Sequence, residues 1–440
     1  MKHKRILALL AVTVALLLSG CGMRTVDQMY CLPKRSDDHK NLQIAIESAM
    51  SGLDYCAPLS GENQQTVHSA DLDGDGTDEY LLYAKSNGEH PLKIMVFDEV
   101  DDTFVLTATM DNNGTGFDLV EYVPMDNRPG VEVVVGCMFG DQPLRSVSVY
   151  TYAKGEANRL LTTSYTKFRT VDLNGNNLAE LFVIHPGSTE IENGVAELYS
   201  LKDGTAERSN EVNMSAPADK LKRIVSSKLY DGEPAVYSAC AVNETALVTD
   251  AFILQDDVLV NVAASKDSET SVKTLRNYYV YADDIDNDGV VELPYLFPMV
   301  SMQGQHQADT HELICWYGLR ANGTQIDKAY TYHNFMGGWY VELDKAWAQQ
   351  LTVTQNGNSY EFYAWTNNYQ SCERLFTVQV LTNQERDGAV TDGDRFILLK
   401  TESATYCATL GPAADKYDIT QQSITRSFRL IVRDWNTGET

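Results

Sequence analysis

The chain has 440 residues, 43% of them hydrophobic, with 12 Pro and 29 Gly. That is length for two or three domains with a sizeable core, and no compositional case for disorder. Its 61 acidic residues against 35 basic ones give a formal net charge of −26, which excludes phosphate-driven nucleic-acid binding and charge-driven adhesion to anionic lipid, and suits hard cations.

At the start, Lys2, Lys4 and Arg5 precede an apolar run over 6–18 that is short for a membrane span. The run ends in Leu18-Ser19-Gly20-Cys21, which resembles a bacterial lipobox. On this reading 1–20 is a lipoprotein signal peptide, and Cys21 is lipidated and anchors the chain to the extracytoplasmic face of the cell membrane. Two acyl chains, at about 0.8 kcal/mol per buried CH₂, anchor far more stably than one. Residues 21–60 then read as a tether and an amphipathic helix. Leu42, Ala45, Ile46, Ala49, Met50 and Leu53 follow the helical period over 38–53, with Asp37 as cap and Gly52 as terminator. Cys31 and Cys56 flank this helix, and the sequence leaves open whether they pair in a disulfide or stay as thiols. Cys137, Cys240, Cys315, Cys372 and Cys407 read as small buried hydrophobes, and no CxxC spacing points to zinc.

From about residue 60 the hydrophobic period changes to two, and an acidic loop begins to repeat. Asp71-Leu-Asp73-Gly-Asp75-Gly76-Thr77-Asp-Glu79 recurs as Asp172-Leu-Asn174-Gly-Asn176-Asn177-Leu178-Ala-Glu180, and again as Asp284-Ile-Asp286-Asn-Asp288-Gly289-Val290-Val-Glu292. Worn copies lie between them, Pro124 to Glu132 around Asp126 and Arg128, and Ser227 to Ala235 around Asp231. The fifth loop position falls at residues 75, 128, 176, 231 and 288, at intervals of 53, 48, 55 and 57. A strand follows each loop, then a polar turn and another strand. Each unit of roughly 53 residues therefore holds about four short strands, the unit from which a β-propeller is built. The expected fold is mainly β: a propeller of about five recognisable repeats over 61–337, with six or seven blades possible, and a C-terminal α+β module over 338–440. That module closes with a helix whose apolar stripe is Ile424, Phe428, Ile431, Val432 and Trp435, capped by Asp418 or Thr420 and ended by Gly438.

An Asp-x-Asp-x-Asp turn brings carboxylates to one side, where a hard cation takes oxygens at about 2.3–2.6 Å. Gly76 and Gly289 allow the positive φ needed at position six, and Asn177 is the next most tolerant residue. Position seven (Thr77, Leu178, Val290) offers a backbone carbonyl, and Glu at position nine completes the cage. An EF-hand is excluded, because position twelve is Leu82, Val183 or Tyr295 and strands follow. The pattern resembles the FG-GAP and VCBS-type repeats of integrin-α-like β-propellers, over roughly residues 65–335. The Phe-Gly and Gly-Ala-Pro elements of that family are absent, and position nine is Glu rather than Asp. The N-terminal layout is similar to that of lipoproteins of Gram-positive anaerobes. The repeat resemblance implies Ca²⁺ at two to three sites. The ligands would be Asp71, Asp73, Asp75, Thr77 and Glu79; Asp172, Asn174, Asn176 and Glu180; and Asp284, Asp286, Asp288 and Glu292. At the second loop, Arg128 is expected to neutralise Asp126 and Glu132 without metal, and the fourth loop, with Asp231 alone, to bind nothing.

His306 and His311-Glu312 are a weaker metal candidate without helical spacing, and no G-x-S-x-G, Walker or dinucleotide motif occurs. Tyr278, Tyr279, Tyr281, Tyr363 and Trp365 read either as a sugar- or peptide-binding face or as packing. The sequence thus points to a lipid-anchored protein that binds an extracellular or envelope protein or glycan or scaffolds at the cell envelope, with no catalytic residue assigned. The alternative is a polysaccharide-active hydrolase or lyase with its site on the propeller face or in an inter-domain cleft.

Overall fold

The computed structural model describes residues 37–431, apart from 142–144, 189–191, 203, 277–279, 300–310, 367–370, 384–385 and 387–392. The lipobox with Cys21, Cys31, Tyr278, Tyr279, His306 and the chain from 432 onward lie outside the described residues. Among them, no helix is long and apolar enough to cross a membrane.

The fold is mainly β, built from six antiparallel sheets among the described residues, each assembled from strands close in sequence except that the fifth also takes in the last described strand. The first holds Val67–Ala70, Glu79–Lys85, Leu92–Val100 and Thr103–Asn112, with Asp54–Tyr55 added beside the second strand. The second holds Gly116–Val123, Glu132–Met138, Arg145–Ala153 and Glu156–Tyr165. The third, fourth and fifth begin at Lys167–Val171, Leu221–Lys228 and Leu293–Pro298. In the fifth, the strand expected before the acidic loop is reduced to a single bridge between Asp283 and Glu292.

Consecutive sheets share cores, because the second strand of each turns alternate apolar residues to opposite neighbours. Val133 and Val135 pack toward Tyr83, Ile94 and Val96 of the first sheet, whereas Val134 packs toward Leu181 and Val183 of the third. Phe182 meets Phe252 of the fourth sheet with ring centroids 5.4 Å apart. Tyr237 and Ile253 meet Leu293 and Tyr317 of the fifth, and Tyr332 meets Phe362 of the sixth edge-on at 5.1 Å. The first sheet's other face (Leu82, Ala84, Met95, Phe97) is covered by α1, Asp37–Ala49, through Leu42, Ala45 and Ile46. This helix ends earlier than the apolar period implies: Gly52, at φ +78°, turns the chain so that Leu53 reaches the same core from outside the helix.

Beyond Gly338 the chain first adds Trp339–Leu343 to the fifth sheet, and then forms the five-stranded sixth sheet from Leu351–Asn356 onward. The closing helix α2 spans Gln421–Ser427 and starts at Thr420, whose hydroxyl accepts from Ser423 N at 3.1 Å while Ser423 Oγ accepts from Thr420 N at 2.9 Å. It is shorter than expected. Phe428 leaves the helical stripe for a strand, Phe428–Leu430, that pairs with Trp339–Val341, and its ring stacks on Trp339 at 5.7 Å. Burying that ring against Trp339 and Tyr406 outweighs continuing the helix. Cys137, Cys240, Cys315 and Cys407 are buried; Cys56 is half-buried and forms no disulfide among the described residues, and its candidate partner Cys31 lies outside them.

Trp339 is fully buried and ties the fifth sheet, the sixth sheet and the terminal strand together. Trp339→Ala is expected to destabilise the protein by about 3–5 kcal/mol, read in urea denaturation, with faster amide exchange at 428–430. His333 is buried against Tyr340, and burial pushes its imidazole down to about 3. Since the folded value lies below the ordinary one, the neutral ring's contribution is complete above about pH 6.5 and is lost as pH falls toward 3. His333→Phe should therefore flatten the fall in melting temperature between pH 6.5 and 4.

Candidate metal centres

The first four loops leave directly from a first strand and the fifth from the Asp283–Glu292 bridge, and the loops' short side chains bond their own backbone. Asp71 Oδ1 accepts from Gly74 N at 2.7 Å, and its Oδ2 from Gly76 N at 3.1 Å. Asp172 repeats this with Gly175 N at 2.7 Å and Asn177 N at 2.8 Å, and Asp284 with Asp288 N at 3.0 Å and Gly289 N at 2.9 Å. Position five caps position seven: Asp75, Asn176 and Asp288 accept from Thr77, Leu178 and Val290 N at 2.8, 2.7 and 2.9 Å. Position six is left-handed in all three loops, at φ +93° for Gly76, +67° for Asn177 and +85° for Gly289. Neighbouring loops also touch. Gly130, at φ +89°, sits so close to the first loop that a Cβ there would lie 2.1 Å from Leu72 O.

The glutamate at position nine is the centre of each loop. Glu79, Glu132, Glu180 and Glu292 are 1%, 5%, 2% and 0% exposed. In each, Oε2 accepts from the backbone N at position two: Leu72 at 2.7 Å, Met125 and Leu173 at 2.8 Å, and Ile285 at 3.1 Å. The second oxygen differs from loop to loop. Glu132 Oε1 receives Arg128 Nη2 at 3.2 Å, and Glu180 Oε1 receives Asn174 Nδ2 at 2.6 Å. Glu79 Oε1 and Glu292 Oε1 are buried and accept no hydrogen bond among the described residues. Burial pushes Glu79, Glu180 and Glu292 up to about 7; in Glu132 burial also raises it, and Arg128 opposes the rise.

Two carboxylate clusters can hold a metal ion. Asp71, Asp73 and Glu79 bring one oxygen each within 4.8 Å of one another, and Asp284, Asp286 and Glu292 do the same. The partnerless buried oxygen of Glu79 and of Glu292 marks the place where a hard cation fits. Asp75 is drawn aside by Thr77, whose hydroxyl donates to Asp75 Oδ1 at 2.6 Å, and Asp288 Oδ2 lies 2.5 Å from Lys328 Nζ. In the third loop Asp172 and Glu180 supply the carboxylates, and the Asn174 amide turns to Glu180. In the second, Arg128 bonds Asp126 Oδ2 at 2.7 Å as well as Glu132, so a guanidinium stands in the cation's place. In the fourth, Asp231 Oδ2 accepts from Ala321 N at 3.0 Å.

The other candidates are engaged in packing. His311 Nδ1 bonds the Tyr332 hydroxyl at 2.9 Å, and Glu312 opens a strand. Tyr281 is buried with Arg223 over its ring, and the Tyr363 hydroxyl donates to Glu361 at 2.6 Å.

The first strands, just ahead of the loops, line a cavity of about 970 Å³. His68, Glu121, Arg169 and Ile224 lie on it, each three positions before a loop begins, together with Lys167 two residues before Arg169. His68 stacks on Tyr122 at 4.9 Å, Glu121 accepts from Thr170 at 2.7 Å, and Asp118 is held by Arg145 at 2.7 Å and by the Tyr165 hydroxyl at 2.5 Å. These lining residues were missed from sequence, although their constant offset from the loop was readable. Lys328 carried no such signal, being 40 residues from Asp288.

No family model matches the chain, and no curated protein matches it. Among solved structures it is similar to Sqt1 of Saccharomyces cerevisiae at 9% identity and a TM-score of 0.30, covering 79% of this chain and 98% of that one. It is also similar to the rhamnogalacturonan lyase YesW (10%, 0.31, 78% and 85%) and to the exotype rhamnogalacturonan lyase YesX (11%, 0.31, 76% and 81%).

Arg128→Ala leaves the buried oxygens of Asp126 and Glu132 without their donor. A loss of about 1–3 kcal/mol is expected in thermal melts, and an unchanged melt would show that the pair contributes nothing.

Proposed function

We propose that this chain is a lipid-anchored, extracytoplasmic β-propeller-type protein whose hairpins are held by calcium and whose axial cavity binds a glycan. The observation that carries this reading is the cavity itself: the same register position of four consecutive first strands meets there in His68, Glu121, Arg169 and Ile224. Radial packing of blades around an axis produces that convergence. Leu18 to Cys21 supports the anchor. A hydroxyl-rich ligand suits a lining that mixes cationic, carboxylate and amide side chains, Lys167, Arg169, Glu121 and Asn63, around the His68–Tyr122 stack.

Calcium would be held by Asp71, Asp73 and Glu79, and by Asp284, Asp286 and Glu292, supplying a hard divalent charge to oxygens that burial otherwise penalises. Extracellular modules of this kind bind at about 10⁻⁴–10⁻³ M, a range that suits architecture. Binding is favoured over cleavage because two of the three cavity carboxylates are engaged, Asp118 by Arg145 and Tyr165 and Glu121 by Thr170, which leaves Glu62 without a second carboxylate to complete an acid–base pair.

In a glycan array probed with the labelled protein, His68→Ala and Arg169→Ala should each weaken the best hit by about tenfold, the worth of one good hydrogen bond to a charged group. Release of new reducing or unsaturated ends on incubation would replace the binder with the enzyme. Asp73→Ala should lower calcium stoichiometry in calorimetry and remove most of the calcium-dependent rise in melting temperature.

A further inference from the structure

We infer that Lys328 sets the cation affinity of the fifth loop, its ammonium already neutralising two of the loop's carboxylates so that a divalent ion binds there only by displacing it. This rests on reading the first and fifth loops as calcium sites. By sequence the two are near-equivalent, with Asp at positions one, three and five, Gly at six and Glu at nine. Both bring three carboxylates together, and among the described residues neither buried Glu Oε1 has a donor.

The difference comes from outside the loops. Lys328 Nζ lies 2.5 Å from Asp288 Oδ2 and 3.3 Å from Asp286 Oδ2, with its side chain 18% exposed. It is held in place by the fourth loop, since it lies over the Tyr230 ring at 5.4 Å, with Arg320 over the same ring at 5.4 Å. Among the described residues, no Lys or Arg pairs with Asp71, Asp73 or Asp75 of the first loop. The four loops that keep the glutamate therefore form a graded series. Arg128 fully occupies the second, Asn174 supplies a neutral donor in the third, Lys328 half-occupies the fifth from a distant strand, and the first has no internal cation. A charge-assisted hydrogen bond is shorter and stronger than a neutral one, so breaking it subtracts directly from metal binding. Calcium should therefore fill the first loop before the fifth. Displacement of Lys328 also loosens its hold on Tyr230, coupling the fifth loop's occupancy to the contact between fourth and fifth sheets.

The test is calorimetric calcium titration of the full chain carrying Glu79→Gln and Asp172→Ala, which leaves the fifth loop as the remaining carboxylate cluster. Adding Lys328→Met is expected to tighten calcium binding by roughly tenfold or more, whereas Lys328→Arg, which keeps the charge, should leave it weak. If Lys328→Met binds calcium no better than its parent while Glu292→Gln abolishes binding, the inference is overturned and the calcium reading stands. If Glu79→Gln and Glu292→Gln each leave the unsubstituted chain's calcium binding unchanged, the calcium reading itself falls, and the inference with it. Melting curves in chelator establish that each variant is folded, and Lys328→Gln replaces Lys328→Met if the latter is not.

Discussion

One hydrogen bond organises the repeat: the backbone N–H at loop position two donates to the buried glutamate at position nine. It spans seven residues and joins the end of one strand to the start of the next. The residue that donates is itself a core side chain, since Leu72, Met125 and Leu173 are buried in the cores between successive sheets. The bond therefore fixes where that side chain enters the core, and with it the register of the next strand. Removing the carboxylate from water costs more than one amide returns, and the ordinary ionisation of Glu79, Glu180 and Glu292 is pushed up accordingly. A second partner for the remaining oxygen offsets that cost, and the loops differ in how they supply it.

The stacking of sheets follows from the same register. Once the glutamate opens the second strand, the residues after it alternate between two neighbouring sheets, so these strands are apolar on both faces. Glu132–Met138 and Pro234–Ala241 are buried along almost their whole length, while outer strands such as Thr103–Asn112 alternate with solvent. A one-residue slip would exchange the two cores that Val133, Val134 and Val135 serve. In the fourth unit Ala235 replaces the glutamate, and the closure is made instead by backbone, Leu229 N to Glu233 O at 2.8 Å, with Asp231 reaching across to Ala321.

Much of this was legible in the sequence because it is local. The strand after each loop, the left-handed sixth position and the Arg128 pairing with Asp126 and Glu132 all depend on residues within nine positions of one another, and the repeat interval is legible because that local pattern recurs. The end of the last helix was not legible, because Phe428 satisfies a helical stripe and a strand equally well, and Trp339, far away in sequence, decides between them. The early end of α1 is similar: Leu53 keeps the apolar period although Gly52 has already turned the chain. The present partners of Asp75 and Asp288 were not legible for a related reason. An Asp-x-Asp-x-Asp spacing counts carboxylates but does not register that position five is drawn to the position-seven backbone, or that Lys328 arrives from another strand.

The five loops read most simply as one electrostatic problem solved in different ways. A turn this acidic, closed on a desolvated carboxylate, needs positive charge or a donor at Glu Oε1. A guanidinium four residues upstream supplies it permanently in the second loop, and its planar fork reaches Asp126 and Glu132 together. An asparagine amide supplies it without charge in the third, where two of the carboxylates have become Asn. Loss of the glutamate removes the need altogether in the fourth. In the first and fifth loops carboxylate density is highest and, among the described residues, no donor reaches the buried oxygen. In the first loop no Lys or Arg among the described residues neutralises that charge, and in the fifth Lys328 neutralises Asp286 and Asp288 without reaching Glu292 Oε1, so at both hairpins the buried glutamate oxygen is where the chain's own charge balance stays open.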